Sequence, residues 1–254
     1  MSTILPDSSL ALIGGTPILR LTRFDTGPCE LFLKLENQNP GGSIKDRVGL
    51  SMIEAAERDG HLWPGALIVE ATAGNTGLGL AQVAARKGYP LLLVVPDKMS
   101  REKILHLRAL GAEVVVTRSD VGKGHPEFYQ DLAQRLADER RGYYVNQFEN
   151  PANPLAHERG TGPELWAQRE ERMDAVVVGV GSGGTLTGLS RYFARVQPEL
   201  ERRPSRRSGR CCGERACWRA PRPAGSSRRR FGAAVIRRRR SGSSPLRATA
   251  ATST

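Results

Sequence analysis

Residues 175–188 read AVVVGVGSGGTLTG. The first six are almost wholly apolar. They are too few for a helix and lack the alternation of a half-exposed strand, so 175–180 reads as a strand buried on both faces. A glycine-rich turn follows at 181–184, then a helix from about Thr185 to Arg195. The same unit recurs upstream. LFLKLE (31–36) reads as a strand, followed by the loop NQNPGGS and a helix over 46–58 that Asp59-Gly60 ends. ALIVE (66–70) is a short apolar strand before the loop 71–77 and a small-residue helix over 78–87, stopped at Gly88. Further strands are expected at 91–95, 113–117 and 143–145, with helices from the cap Ser100 to Gly111, over 126–140 and over 164–172. Short apolar strands alternating with longer helices imply an α/β fold, with open parallel sheets covered by helices and joined by right-handed crossovers. Too few such units fit in 254 residues to close an eight-fold barrel.

Apolar residues make up 39% of the chain, as in an ordinary soluble protein. No apolar run approaches the ~20 residues of a membrane helix. The opening MSTILPDSSL has neither a basic n-region nor a long apolar core, so a secretory signal is not expected and the cytoplasm is. The net charge of +12 is local: Glu201 to Thr254 holds 16 Arg, no Lys, 2 Glu and no Asp, whereas the first 200 residues carry 22 basic and 24 acidic residues. The positive charge therefore says nothing about the partners of the main part. Only Cys29 precedes the tail, which fits a reducing compartment rather than a disulfide framework. No metal site is expected.

Three loops, each after a strand and before a helix, stand where an open α/β sheet binds ligands. Asn39-Pro40-Gly41-Gly42-Ser43-Ile44-Lys45 sets a lysine at a helix start, where the dipole disfavours a cation and lowers its pKa. Such an amine can form an imine with an aldehyde cofactor, although a solvated surface lysine is the commoner meaning of a single one. Thr72-Ala73-Gly74-Asn75-Thr76-Gly77 can turn backbone N–H groups toward an anion, and Asn75 adds a side-chain amide. Gly181-Ser182-Gly183-Gly184-Thr185 offers free N–H groups, a positive helix end and two hydroxyls, the parts of a phosphate cradle. It is neither a P-loop nor GxGxxG. Taken singly, the last two also suit ordinary turns. Together, the three are what a phosphorylated aldehyde cofactor requires.

NPGGSIKDR with LSMIEAAERDG, TAGNTG, NQFENPANPLAHE and GVGSGGTLTG occur here in the order seen in the cysteine synthase and cystathionine β-synthase family, and the chain resembles that family from about Ile13 to Val196. The resemblance implies a two-domain, fold-type II pyridoxal-phosphate enzyme, like tryptophan synthase β. Residues 1–200 would form its core, with a smaller domain over roughly 45–150 inserted in the larger one, and a homodimer is expected. It implies pyridoxal 5′-phosphate as cofactor and Lys45 as the Schiff-base lysine and proton shuttle. Asn75 would bond the cofactor's 3′ oxygen, and Gly181, Ser182, Gly183, Gly184 and Thr185 its phosphate. Thr72, Gly74, Thr76 and Gln147 would grip the substrate carboxylate. The implied reaction is β-replacement on serine or O-acetylserine by a thiol or sulfide. Serine with homocysteine and O-acetylserine with sulfide both remain open, and a serine or threonine deaminase is a further possibility.

The sequence departs from that pattern in three places. Ala73 and Gly160 stand where the family usually has Ser and Thr. After Leu200 the family's further hundred or so residues, which return strands to the larger domain, give way to Arg-, Gly-, Ser- and Pro-rich text without periodicity. That composition predicts disorder over 201–254. A shifted reading frame in a GC-rich gene explains it better than a natural basic tail that binds nucleic acid non-specifically. A chain with its larger domain incomplete is expected to be poorly stable and little active, so an inactive remnant is the alternative to an enzyme.

Overall fold

The computed structural model describes residues 8–23, 29–72, 74–170, 173–205 and 235–239. Four parallel strands, β3 (Ile68–Ala71), β4 (Leu91–Pro96), β5 (Glu113–Thr117) and β6 (Tyr143–Tyr144), form one sheet in the order β5-β4-β3-β6. Every residue of β3 and β4 is buried, as the apolar run of β4 requires, and in β3 the burial takes in Glu70 as well. Successive residues serve opposite faces. Leu91, Leu93 and Val95 join Val48, Met52 and Ile53 of α1 (Lys45–Arg58) and Leu80 and Val83 of α2 (Asn75–Lys87) in one core. Leu92 and Val94 face Ala133 and Ala137 of α4 (Tyr129–Glu139) in another. Helix α3 (Arg101–Ala109) begins after Ser100, which holds the cap position with backbone alone. Glycine stops work as expected, with Gly60 at φ +75° and Gly88 at φ +77°.

The second sheet has the order β1-β2-β9-β7-β8. It contains β1 (Ile18–Leu21), β2 (Cys29–Lys34), β7 (Ala175–Gly179), β8 (Glu201–Ser205) and β9 (Val235–Arg239). Only β7 and β8 run parallel; β1–β2, β2–β9 and β9–β7 are antiparallel. This sheet is mixed, so the expectation of parallel pairing holds for the first sheet and for one pair of the second. Within the stretch where disorder was expected, residues 201–205 and 235–239 form strands β8 and β9. An apolar strand such as β7 leaves backbone donors and acceptors on both edges, and pairing them is indifferent to side-chain type. Residues 206–234 and 240–254, where disorder was also expected, lie outside the described residues. Helices α5 (Ala152–Ala156), α6 (Gly162–Gln168) and α7 (Gly184–Val196), with a π-helical turn at His157–Thr161, complete the chain. Phe32, Leu165, Val176, Leu189 and Phe193 form the core beneath the second sheet. Among the described residues no helix is long and apolar enough to cross a membrane.

Candidate active site

Lys45 is the first residue of α1, and its place is fixed by glycines. Helix α1 crosses α2 so closely that a Cβ on Gly79 would lie 2.5 Å from the Lys45 carbonyl oxygen. The loop before it is held from below by Asp46, a fully buried carboxylate that accepts the Gly41 N–H at 2.6 Å. Burial pushes Asp46 up to about 6. The Lys45 Nζ donates to Ser182 Oγ at 3.1 Å, which brings the first and third loops together. Its pKa is lowered to about 8 by burial, with the charge of Glu70 working the other way. The direction matches the sequence expectation, but the main cause is desolvation.

The glycine turn presents an open face. Gly183 takes φ +84° as the cap of α7, and a Cβ on Gly181 or Gly183 would meet nothing within 4 Å among the described residues. Gly184 is the opposite case, tightly packed against Asn153. The Thr185 hydroxyl lies 3.2 Å from His157 Nε2, whose Nδ1 is 3.1 Å from Thr161 Oγ1. Burial pushes His157 down to about 3, and the positive charges of Lys45 and Arg47 add to it. The ring is therefore neutral, and hydroxyls hold both its nitrogens.

The second loop is knitted to the segment after β6. Thr76 Oγ1 donates to Gln147 Oε1 at 2.7 Å, and Gln147 Nε2 reaches the Ala71 carbonyl at 3.4 Å. Thr72 Oγ1 accepts the Gly74 N–H at 3.2 Å. Thr72, Thr76 and Gln147 are thus brought together and buried. Asn75, half-buried at the start of α2, makes no side-chain hydrogen bond among the described residues. Ala73 lies outside the described residues.

Three polar residues that sequence reasoning did not single out are buried here: Glu70, Asn153 and His157. Glu70 accepts N–H bonds from Ala71 at 3.0 Å and Gln147 at 3.2 Å. Burial raises it to about 8, against those bonds and the Lys45 charge. A glutamate inside ALIVE was the available signal, because a strand buried on both faces leaves a carboxylate no route to water. Behind Lys45, a second buried cluster joins β2 to α1 and α6. Arg47 pairs with Glu36 at 2.7 Å and with Glu164 at 2.6 Å, and Lys34 with Glu164 at 2.6 Å. Burial alone would raise Glu164; the bonds from Arg47 and Lys34 overcome it and hold the carboxyl at about 2.

A profile of the pyridoxal-phosphate dependent enzyme family matches residues 10–213. The chain belongs to this family. It is 47% identical over 198 residues to cysteine synthase of Staphylococcus aureus, covering 77% of this chain and 63% of that protein. Cystathionine beta-synthase of Apis mellifera is 43% identical over 202 residues, covering 78% of this chain and 40% of the relative. Among solved structures, O-ureido-L-serine synthase superposes with a TM-score of 0.75 at 39% identity, covering 79% of this chain and 63% of that one. The chain thus spans less than two thirds of the length of each of these relatives. Members of the pyridoxal-phosphate family need a primary amine and an anion cradle, and both fit here. Lys45 supplies a partly neutral amine beside the glycine turn, and that turn has free space over Gly181 and Gly183 at the start of a thirteen-residue helix.

Proposed function

We propose that this chain carries the reacting half of a β-replacement enzyme, one that exchanges the β-substituent of serine or O-acetylserine for a thiol or sulfide. One observation carries the reading: a half-buried lysine amine with its pKa near 8, bonded across 3.1 Å to the glycine turn that opens α7. Pyridoxal phosphate, when bound, supplies the electron sink for bond breaking at the substrate Cα. Lys45 would provide the amine that holds the cofactor and the base that takes and returns the Cα proton. A pKa near working pH suits both tasks. The backbone of Gly181, Ser182, Gly183, Gly184 and Thr185, with the Ser182 and Thr185 hydroxyls, holds the phosphate. Asn75 donates its amide to the 3′ oxygen. Thr72, Gly74, Thr76 and Gln147 receive the substrate carboxylate, and their mutual bonds place it before substrate arrives.

Residues from about 45 to 150 act as a smaller unit that carries this grip, and the protein works as a homodimer in the cytoplasm. Relatives with names of both kinds, cysteine synthase and cystathionine beta-synthase, support the reaction class while leaving homocysteine and sulfide as alternatives. The deciding experiment is borohydride reduction of the chain with pyridoxal phosphate, followed by peptide mass spectrometry of wild type and Lys45→Ala. A pyridoxyl mass on Lys45 that disappears in the variant is expected. Labelling elsewhere, or none on the wild type, refutes the reading.

A further inference from the structure

Between the glycine turn and the carboxylate loop stands one buried amide. Asn153, in α5, is 2% exposed. Its Nδ2 donates to the Gln147 carbonyl at 2.8 Å and to Ser182 Oγ at 3.1 Å. A carbonyl only accepts, so the amide cannot be turned round without setting oxygen against oxygen. Its Oδ1 is left buried with no hydrogen-bond partner among the described residues. The same oxygen sits against the first residue of α7, where a Cβ on Gly184 would lie 2.0 Å from it. Leaving a buried acceptor unmade is unfavourable, so this arrangement persists because the Nδ2 side outweighs it.

The consequence falls on Ser182. Its oxygen receives N–H donors from Lys45 and from Asn153, both at 3.1 Å. With both lone pairs engaged before an aldehyde is bound, the hydroxyl has only its own proton left to offer, and once Lys45 holds the aldehyde the Asn153 bond is the one that remains to orient it. An acceptor-only anion in the glycine turn is the partner that suits it. We propose that Asn153 is a positioning residue: it fixes Ser182 as a donor to the bound phosphate and ties that turn to Gln147. Phosphate and carboxylate sites are thereby held at one spacing. The inference rests on the reading of 181–185 as the phosphate site.

The test titrates pyridoxal phosphate, and separately inorganic phosphate as its competitor, into four proteins: wild type, Asn153→Ala, Ser182→Ala and the double variant. Losing a hydrogen bond to a charged group weakens binding by about ten-fold. Each single variant is expected to lose about that much, and the double variant no more than Asn153→Ala alone, because the two groups act as one unit. L-serine binding to the loaded protein should weaken in Asn153→Ala and not in Ser182→Ala, since only the former frees Gln147. Asn153→Asp keeps the volume and removes the N–H donors, so the same losses are expected there if the alanine variant folds poorly. Losses that multiply in the double variant, or wild-type affinity in Asn153→Ala or Asn153→Asp, overturn the proposal. A wild-type chain that binds no pyridoxal phosphate is a different result and refutes the proposed function itself.

Discussion

Gly79→Ala is expected to damage the site without touching it. A Cβ at 79 would fall 2.5 Å from the Lys45 carbonyl oxygen, 2.9 Å from its carbon and 3.1 Å from the Asp46 nitrogen. All three are backbone atoms, so no side chain can swing aside. Restoring an ordinary contact of about 3.5 Å pushes the start of α1 away by about 1 Å. Overpacking of this kind costs ~1–3 kcal/mol. Replacing glycine by alanine within a helix returns up to ~1 kcal/mol. With the full helix gain, the net loss expected in urea unfolding is therefore up to ~2 kcal/mol. The functional loss should be larger in proportion, because the displaced residue is Lys45, and a 1 Å misplacement can cost about 100-fold in rate. Unfolding midpoints and the rate of borohydride-trapped pyridoxyl-lysine formation, measured on both proteins, decide the matter. An unchanged midpoint together with a rate near that of wild type would show that α1 and α2 are not held apart by backbone contact at this point.

Two other perturbations test the buried charges. In Glu70→Gln the sign follows from burial, which holds the folded pKa near 8 against an ordinary 4.5: the folded carboxyl keeps a proton that the unfolded chain releases, so wild-type stability is lost as pH rises from the unfolded value through about 8. The glutamine variant lacks this dependence, and its stability relative to wild type should improve by up to ~4 kcal/mol between pH 5 and pH 8; an equal difference at both pH values refutes the assignment. Arg47→Met leaves Glu36, only 4% exposed, without its guanidinium. A loss of ~3–5 kcal/mol is expected, with partial recovery on adding Glu36→Gln, and a loss under ~1 kcal/mol would mean that water reaches the carboxylate.

The first sheet was legible because period and punctuation agree. The unbroken apolar run at 91–95 and the Val-rich EVVVT at 113–117 each follow a glycine stop, and the strands appear at Leu91–Pro96 and Glu113–Thr117. Helix starts were less legible. Asn75 and Thr76 belong to α2, three residues before the expected start, because Gly74 takes an extended conformation as the cap and no side-chain cap marks the spot. Residues 18–21 (ILRL) were missed because four residues with an exposed centre give no periodic signal; their strand exists through its pairing with β2. Tail strands β8 and β9 were illegible in principle. ERRPS (201–205) has no alternating apolar face and VIRRR (235–239) only two adjacent apolar residues, and their pairing follows the edges that β7 and β2 offer.

Site residues divide along a similar line. The segments around Lys45, Thr72, Thr76 and Ser182 stood out by their glycine-rich composition between a strand and a helix, whereas Gln147 entered only through the family resemblance. Asn153 was invisible because nothing local distinguishes an asparagine that bridges two loops from one that caps a turn, as Asn150 does by accepting the Ala152 N–H at 3.0 Å. The lysine shows what a correct direction with an incomplete cause leaves out. A helix-dipole effect belongs to the helix end and, although weakened by distance and screening, would persist in part if water reached the amine. Desolvation acts only while the amine is covered. Because burial is the larger cause here and the charge of Glu70 opposes it, exposing the Lys45 amine to water would move its pKa back toward the ordinary lysine value. Around it, Gln147 donates its backbone N–H to Glu70, and Asn153 donates to the Gln147 carbonyl and to Ser182, so one set of hydrogen bonds ties these segments together.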